Sequence, residues 1–185
     1  EKWTGDFMYR RRPGNCFNYR KSTLNYISYN MKKLLENKIA VITGGADGIG
    51  KATSERFAEE GATVIVWGMN QEKGEETVAE INKSGGLALF MQVNTAKFDE
   101  VDKATKLCVE NFGRIDILIN NAGITRDSSI KKMTPETWQQ VIDVNLTGVF
   151  NCCKCVSDVM VENGWGRIVN ASSVVALYGN FGQTN

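Results

Sequence analysis

The chain has 185 residues, a formal net charge of +1, five cysteines and no histidine. This length suits one sizeable domain, and the near-neutral charge gives no electrostatic case for a nucleic-acid partner. Without histidine there is no Ser-His-Asp or Cys-His nucleophile, and no apolar run approaches the ~20 residues of a membrane span.

Residues 1–30 differ from the rest of the chain, with six basic residues against two acidic ones and no regular period, whereas the remainder has 16 basic and 19 acidic residues. Met31 and the Lys-Lys-Leu-Leu-Glu-Asn-Lys stretch after it read as a natural start. The leader is therefore expected to be translated upstream sequence, a disordered native arm or a transit peptide. A basic nucleic-acid arm is the sharper alternative, supported only by Arg10–Arg12.

From Ile39 onward strand and helix patterns alternate. Strands are expected at 39–43, 62–67, 87–93, 115–119 and 167–172. Helices are expected at 48–60, 71–83 and 97–112, and from Pro135 to about Asn163. The first has Ile49, Ala52, Phe57 and Ala58 as its apolar face; the third has Val101, Ala104, Leu107, Cys108 and Phe112. Thr134 caps the long helix, with Pro135 at its first position. Strands that are continuous apolar runs, alternating with helices, indicate right-handed βαβ units and a parallel sheet covered on both faces.

The odd cysteine count argues against a secreted disulfide framework. In Cys152-Cys153-Lys154-Cys155, neighbouring side chains on a helix point about 100° apart, which suits half-buried helix positions in a reducing cytoplasm better than a metal site. No metal is expected.

The first strand empties into Thr43-Gly44-Gly45-Ala46-Asp47-Gly48-Ile49-Gly50. Glycines between a strand and a helix let the backbone approach a pyrophosphate, and the free N–H groups at the helix start attract it. By itself the turn is a weak signal, since a plain strand–helix connection has the same look. Three further motifs occur in order: Asn120-Asn121-Ala122-Gly123 after strand four, Asn145 within Asp143-Val144-Asn145-Leu146-Thr147-Gly148, and Ser172-Ser173 after strand five.

With these four motifs at this spacing, the chain resembles the short-chain dehydrogenases/reductases from about residue 35 to its end. Within that family, Asn120–Asp127 and Asn163–Asn170 are most similar to reductases of 3-oxoacyl-[acyl-carrier-protein] and of acetoacetyl-CoA. The resemblance implies an α/β, Rossmann-type doubly wound parallel sheet with helices on both faces, incomplete at the C-terminus. It places Gly44, Asp47, Gly48, Ile49 and Gly50 at the pyrophosphate cradle, Gly68 and Met69 beside the adenosine ribose, and Asn94 at the adenine amine. Asn121, Ala122 and Gly123 border the cofactor's path, and Asn120 ties neighbouring strands.

The implied reaction is hydride transfer from a nicotinamide to a ketone. Ser173 is assigned to the substrate carbonyl, and Asn145 to a water relay at a helix distortion. The family's tyrosine comes thirteen positions after the serine, at position 186, so Tyr178 is not that tyrosine and this chain alone is expected to be inactive. Gly68 stands where NAD-preferring relatives have an acid, while Met69 and Asp47 stand where NADP-preferring ones often have arginine. The balance leans to NADP(H) over NAD(H).

The implied substrate is an acyl thioester on acyl carrier protein or CoA, reduced in fatty-acid synthesis. Arg167 could serve carrier docking, as could a rim of Arg126, Lys131 and Lys132; a solvated charge run is the plain alternative. Other readings are a short-chain dehydrogenase of a sugar or small alcohol, and a non-catalytic dinucleotide-binding protein. The long helix implies a homodimer or homotetramer, with Val149, Cys152, Cys153, Val156 and Val159 near packed surfaces. No nucleic acid or membrane partner is expected, and the cytoplasm is the expected location.

Overall fold

The computed structural model describes residues 33–185; the leader expected at 1–30 lies outside them. The elements are β1 (Ile39–Thr43), α1 (Gly48–Glu59), β2 (Thr63–Gly68), α2 (Gln71–Lys83), β3 (Leu87–Gln92), α3 (Phe98–Phe112) and β4 (Ile117–Asn120). Then come α4 (Pro135–Ile142), a π-helical turn (Asp143–Thr147), α5 (Gly148–Glu162), β5 (Arg167–Asn170) and the short α6 (Val175–Tyr178). All strand pairs are parallel, in the order β3-β2-β1-β4-β5. The strand order reverses at β1: the chain first winds outward to β2 and β3, then returns to the other side of β1 for β4 and β5.

Strand side chains alternate between two cores, as a period of two requires. Val41, Ile65, Trp67 and Leu118 face Val101, Ala104 and Cys108 of α3 and Cys152, Val156 and Met160 of α5. Ala40, Ile42, Val64, Val66, Ile117 and Ile119 face Ala58 of α1 and Ile81 of α2. Both faces of the central strands are dry, which is why β1 and β2 read as unbroken apolar runs. Each fully buried Val or Ile there contributes roughly 1.5–3 kcal/mol of transfer free energy.

The structure departs from the sequence pattern in several places. The long helix is not one α-helix: the π turn interrupts it at Asp143–Thr147, where Gly148 N donates to Asp143 O. Of the expected apolar face of α1, Ala58 is buried and Phe57 packs half-buried against the core, but Ile49 and Ala52 are exposed. The helix's buried line is Gly50, Ser54 and Ala58, with Ile49 80% exposed. Close approach to the glycine turn selects the small residues for the inner face. On α3, Thr105 is buried and Leu107 is exposed. Cys152 and Val156 fill this chain's own core, whereas Leu146, Phe150 and Val161 point outward. β3 is an edge strand with Leu87 and Leu89 exposed, so it is not covered on both faces. β5 ends at Asn170; Ala171 N still donates to Asn120 O at 2.9 Å before the chain leaves the sheet.

At the N-terminal edge of the sheet the buried Asp116 carboxylate accepts from Ile39 N at 2.8 Å. It also pairs with Arg114, and with Lys38 at 3.8 Å. Trp165 stacks beneath Lys38 and Arg167, at 4.0 and 5.0 Å from its ring centroid. This polar plate fixes the start of β1 against the start of β4.

Candidate functional site

The C-terminal ends of β1 and β4 meet where the strand order reverses, the place at which open α/β sheets form a ligand crevice. Thr43, buried at the end of β1, joins the two sides. Its Oγ1 accepts from Asn121 N and Ala122 N, both at 3.0 Å, and donates to Ile119 O at 3.4 Å. Asn121 Nδ2 lies 3.3 Å from both Thr43 O and Gly44 O. Gly44 N donates to Trp67 O at 2.7 Å, which ties the turn to β2 as well.

Three glycines of the turn are dictated by space, Gly45 among them, where an added Cβ would lie 2.8 Å from Ser54 Oγ and 3.0 Å from Ile42 O. Gly44 has φ +63°, and a Cβ there would sit 3.0 Å from Ala122 Cα. A Cβ on Gly50 would lie 2.1 Å from Gly44 O, a backbone atom that cannot yield. These contacts bring the start of α1 directly under the turn. Gly48, by contrast, faces open space, and Asp47, Gly48 and Ile49 are exposed. A helix N-terminus with a glycine turn around it and room in front fits the pyrophosphate of a dinucleotide.

Asp47 adds a feature that the sequence did not indicate. Its Oδ1 caps α1 by accepting from Gly48 N at 2.8 Å, and its Oδ2 pairs with Lys73 of α2. The Lys73 hydrogen bond, then the Gly48 N–H, hold the Asp47 carboxyl below the usual carboxylate range; Asp47 in turn raises Lys73. Lys73 is inconspicuous in the sequence because it is one of several charges on an exposed helix face. Its place five residues beyond Gly68, one turn before Thr77, was the available signal.

Gly68 closes β2, and Met69 is 59% exposed beside it. A Cβ at Gly68 would meet only Phe90, at 3.7 Å. Asn94 spends its Oδ1 locally, accepting from Ala96 N at 3.1 Å, while its own N–H donates to Glu100 at 2.9 Å. That N–H, with Lys97 second, lowers the Glu100 carboxyl.

Asn120 ties β4 to β5 through Nδ2, at 2.9 Å from Asn170 Oδ1; its buried Oδ1 has no partner among the described residues. Gly123 sits against Asn145, where an added Cβ would be 3.4 Å from Oδ1. Asn145, inside the π turn, clamps Ile124 from both sides: Oδ1 accepts from Ile124 N and Nδ2 donates to Ile124 O, each at 2.9 Å. The π turn directs this asparagine toward the loop after β4. Ser173 Oγ accepts from Val175 N at 3.2 Å, which leaves its own O–H to donate. Ser173 and Asn145 line one cleft of about 260 Å³ with Ile124, Thr125, Val141 and Val175.

Most of the sequence-predicted residues thus converge on one sheet edge. Arg167 does not: it begins β5, at the opposite edge, and stacks on Trp165. Arg126 instead flanks the cleft, its Nη1 on Thr125 O at 2.8 Å. Cys108 and Cys152 lie in the core, away from the cleft, and burial pushes each thiol up to about 12. Among the described residues no three His, Cys, Asp or Glu side chains gather as a metal site, and no helix is long and apolar enough to cross a membrane.

The family model described as short chain dehydrogenase matches residues 38–185. Among curated relatives, 3-oxoacyl-[acyl-carrier-protein] reductase of Synechocystis sp. is 47% identical over 152 residues, covering 82% of this chain and 62% of the relative. The enzyme of that name from Thermotoga maritima is 46% identical, covering 82% and 61%. The chain therefore spans about three fifths of the length of these relatives. Among solved structures, NAD+-bound xylitol dehydrogenase superposes with a TM-score of 0.79 at 31% identity, covering 82% of this chain and 58% of that one. The structure of gox2181 gives 0.78 at 32% identity, covering 80% and 58%.

Proposed function

The chain belongs to the short-chain dehydrogenases, and from that premise we propose that the protein reduces a 3-oxoacyl thioester, carried on acyl carrier protein or CoA, to the 3-hydroxyacyl thioester, with NADP(H) preferred over NAD(H). The observation that carries this reading is the convergence of the glycine cradle and the Ser173–Asn145 cleft at one reversal point of the sheet. The names of the 46–47% identical relatives support the thioester substrate.

A bound nicotinamide would supply the hydride. The roles of this chain come from its geometry. The N–H groups around Gly48 hold the pyrophosphate, and Asn121 and Ala122 fix the opposite wall of the crevice. Ser173 donates a hydrogen bond from its hydroxyl to the ketone oxygen and keeps its proton, a preorganised donor at the atom where negative charge develops. Asn145 acts as a positioning residue that holds the Ile124 backbone at the cleft. The tyrosine of the family pattern would supply the proton that completes the alcohol.

Arg126 provides the positive rim for an acidic carrier. The outward Leu146 and Phe150 suit packing against a second copy in a homodimer or homotetramer. Free, buried Cys108 and Cys152 suit a reducing compartment such as the cytoplasm.

The test is substrate profiling of the protein with each cofactor. Reduction of acetoacetyl-CoA or a 3-oxoacyl carrier thioester, faster with NADPH than NADH, is expected. The similarity to NAD+-bound xylitol dehydrogenase favours a second reading, dehydrogenation of a polyol. Polyol oxidation with NAD+ in place of thioester reduction would establish that reading instead, and dinucleotide binding without any turnover would make the protein a non-catalytic binder.

A further inference from the structure

The pyrophosphate cradle contains an acid. Asp47 sits at its outer rim, 73% exposed, where a carboxylate would repel any phosphate of the cofactor. Its partner Lys73 comes from the first turn of α2, which Asn70 caps through Lys73 N at 3.0 Å. Lys73 and Thr77 share one face of α2 at i,i+4 spacing, and Thr77 Oγ1 donates to Ala46 O at 3.3 Å. Two successive positions of this helix face therefore bind the turn, and the Lys73 ammonium spans from α2 to its rim. Lys51, the other lysine whose charge acts on Asp47, is engaged further along α2, with Glu80 at 2.6 Å. Among the described residues the only ion-pair partner of Lys73 is Asp47.

The adenosine ribose of a dinucleotide bound in this crevice reaches the end of β2. At that point Gly68 presents no acid, and the space before it is bounded only by Phe90. Lys73 is five residues further on and 51% exposed. Its ion pair is solvated on both sides, so the lysine can exchange one anion for another at little cost.

We propose that Lys73 reads the adenosine 2′-phosphate, leaving the Asp47 carboxylate for the phosphate when NADP(H) binds. This rests on the NADP(H) reading and adds the residue that carries it. A 2′-phosphate brings close to two negative charges, a stronger partner for an ammonium than one carboxylate. A 2′-hydroxyl offers no such gain, so NAD(H) leaves the Asp47–Lys73 pair closed. Specificity is then the difference between two partners of one lysine. Asp47 stores the lysine at the rim in the empty protein and opposes the phosphate by like charge.

The experiment is equilibrium binding of NADPH and NADH by fluorescence titration, on wild type, Lys73→Met, Lys73→Arg, Asp47→Asn and the Asp47→Asn/Lys73→Met double variant. Circular dichroism and thermal melts verify that each is folded. The wild type should bind NADPH more tightly than NADH, and added salt should narrow that ratio. Lys73→Met should weaken NADPH by about tenfold and NADH by less than about twofold. Lys73→Arg should keep the preference, and Asp47→Asn should tighten NADPH by about threefold. A lysine that only neutralises Asp47 would lose its importance in the Asp47→Asn background. A double variant with the wild-type NADPH preference would therefore overturn the proposal. A wild type that prefers NADPH with an unchanged ratio in Lys73→Met overturns Lys73 alone. A wild type that prefers NADH overturns the NADP(H) reading together with it.

Discussion

At the N-terminal edge of the sheet, the buried Asp116 carboxylate accepts from Ile39 N and pairs with Lys38 and Arg114, while Trp165 covers Lys38. At the C-terminal edge of the same strands, the turn after β1 leaves Asp47, Gly48 and Ile49 exposed around an open helix start. The first edge satisfies a buried carboxylate internally; the second keeps N–H groups and side chains available. Strand ends that are saturated hold the sheet in register, and strand ends that are left open can hold a ligand. The Asp47–Lys73 pair belongs to the open edge: it is solvated and exchangeable, whereas Asp116 is neither.

The sharpest test of this contrast is Asp116→Ala. It strips Ile39 N of its acceptor and leaves Arg114 unpaired, and should cost about 3 kcal/mol in urea denaturation. The glycine turn should keep its conformation; a variant with full stability would show that the N-terminal plate is decorative.

Alkaline pH should act on the core between the two edges. Cys108 and Cys152 stay protonated in the fold up to about 12 because burial disfavours the thiolate. In the unfolded chain they ionise near pH ~8.5. The unfolded state therefore releases protons first, and stability falls as pH rises from that point toward the folded value. Each thiol should remove about 2 kcal/mol between about pH 8 and about pH 10. Chemical denaturation at both pH values, with Cys152→Ala showing a shallower fall, measures this. Both thiols should also resist iodoacetamide until the protein unfolds.

At the open edge, Gly50→Ala should cost about 2 kcal/mol, because its Cβ would meet the Gly44 carbonyl. It should also weaken dinucleotide binding by at least about tenfold, whereas Asp116→Ala should leave affinity unchanged in the folded fraction. Equal loss of binding in both would dissolve the distinction between the edges. The smallest effect is expected for Asn145→Ala, which removes two hydrogen bonds to Ile124 in an exposed turn. About 1 kcal/mol of stability should go, and the proposed ketone reduction should slow more than dinucleotide binding is weakened.

The order of elements was legible because buried parallel strands must be apolar throughout and each helix must present a stripe to one face. Thr134-Pro135 announced the start of α4, and the glycines announced the crevice. Helix faces were less legible. Ile49 and Leu107 look like core residues by spacing, yet Ile49 is 80% and Leu107 37% exposed. The reason for the first is the close seating of α1 on the glycine turn, which only Gly50, Ser54 and Ala58 can occupy. Arg167 looked like part of a binding rim, but its strand carries it to the other edge. The π turn at Asn145 was legible only as the helix distortion that the family resemblance implied, since the clamp on Ile124 that accompanies it spans 21 residues of chain.

The sequence by itself determined the parallel sheet, the glycine cradle and the residues that gather around it, because backbone freedom and hydrophobic period are local properties. Only the tertiary structure decided that Asp47 is held by Lys73, that Thr43 joins the two walls of the crevice, and that Ser173 and Asn145 share one cleft. Those contacts cross between elements far apart in the chain, and their geometry is set by the twist and order of the strands between them.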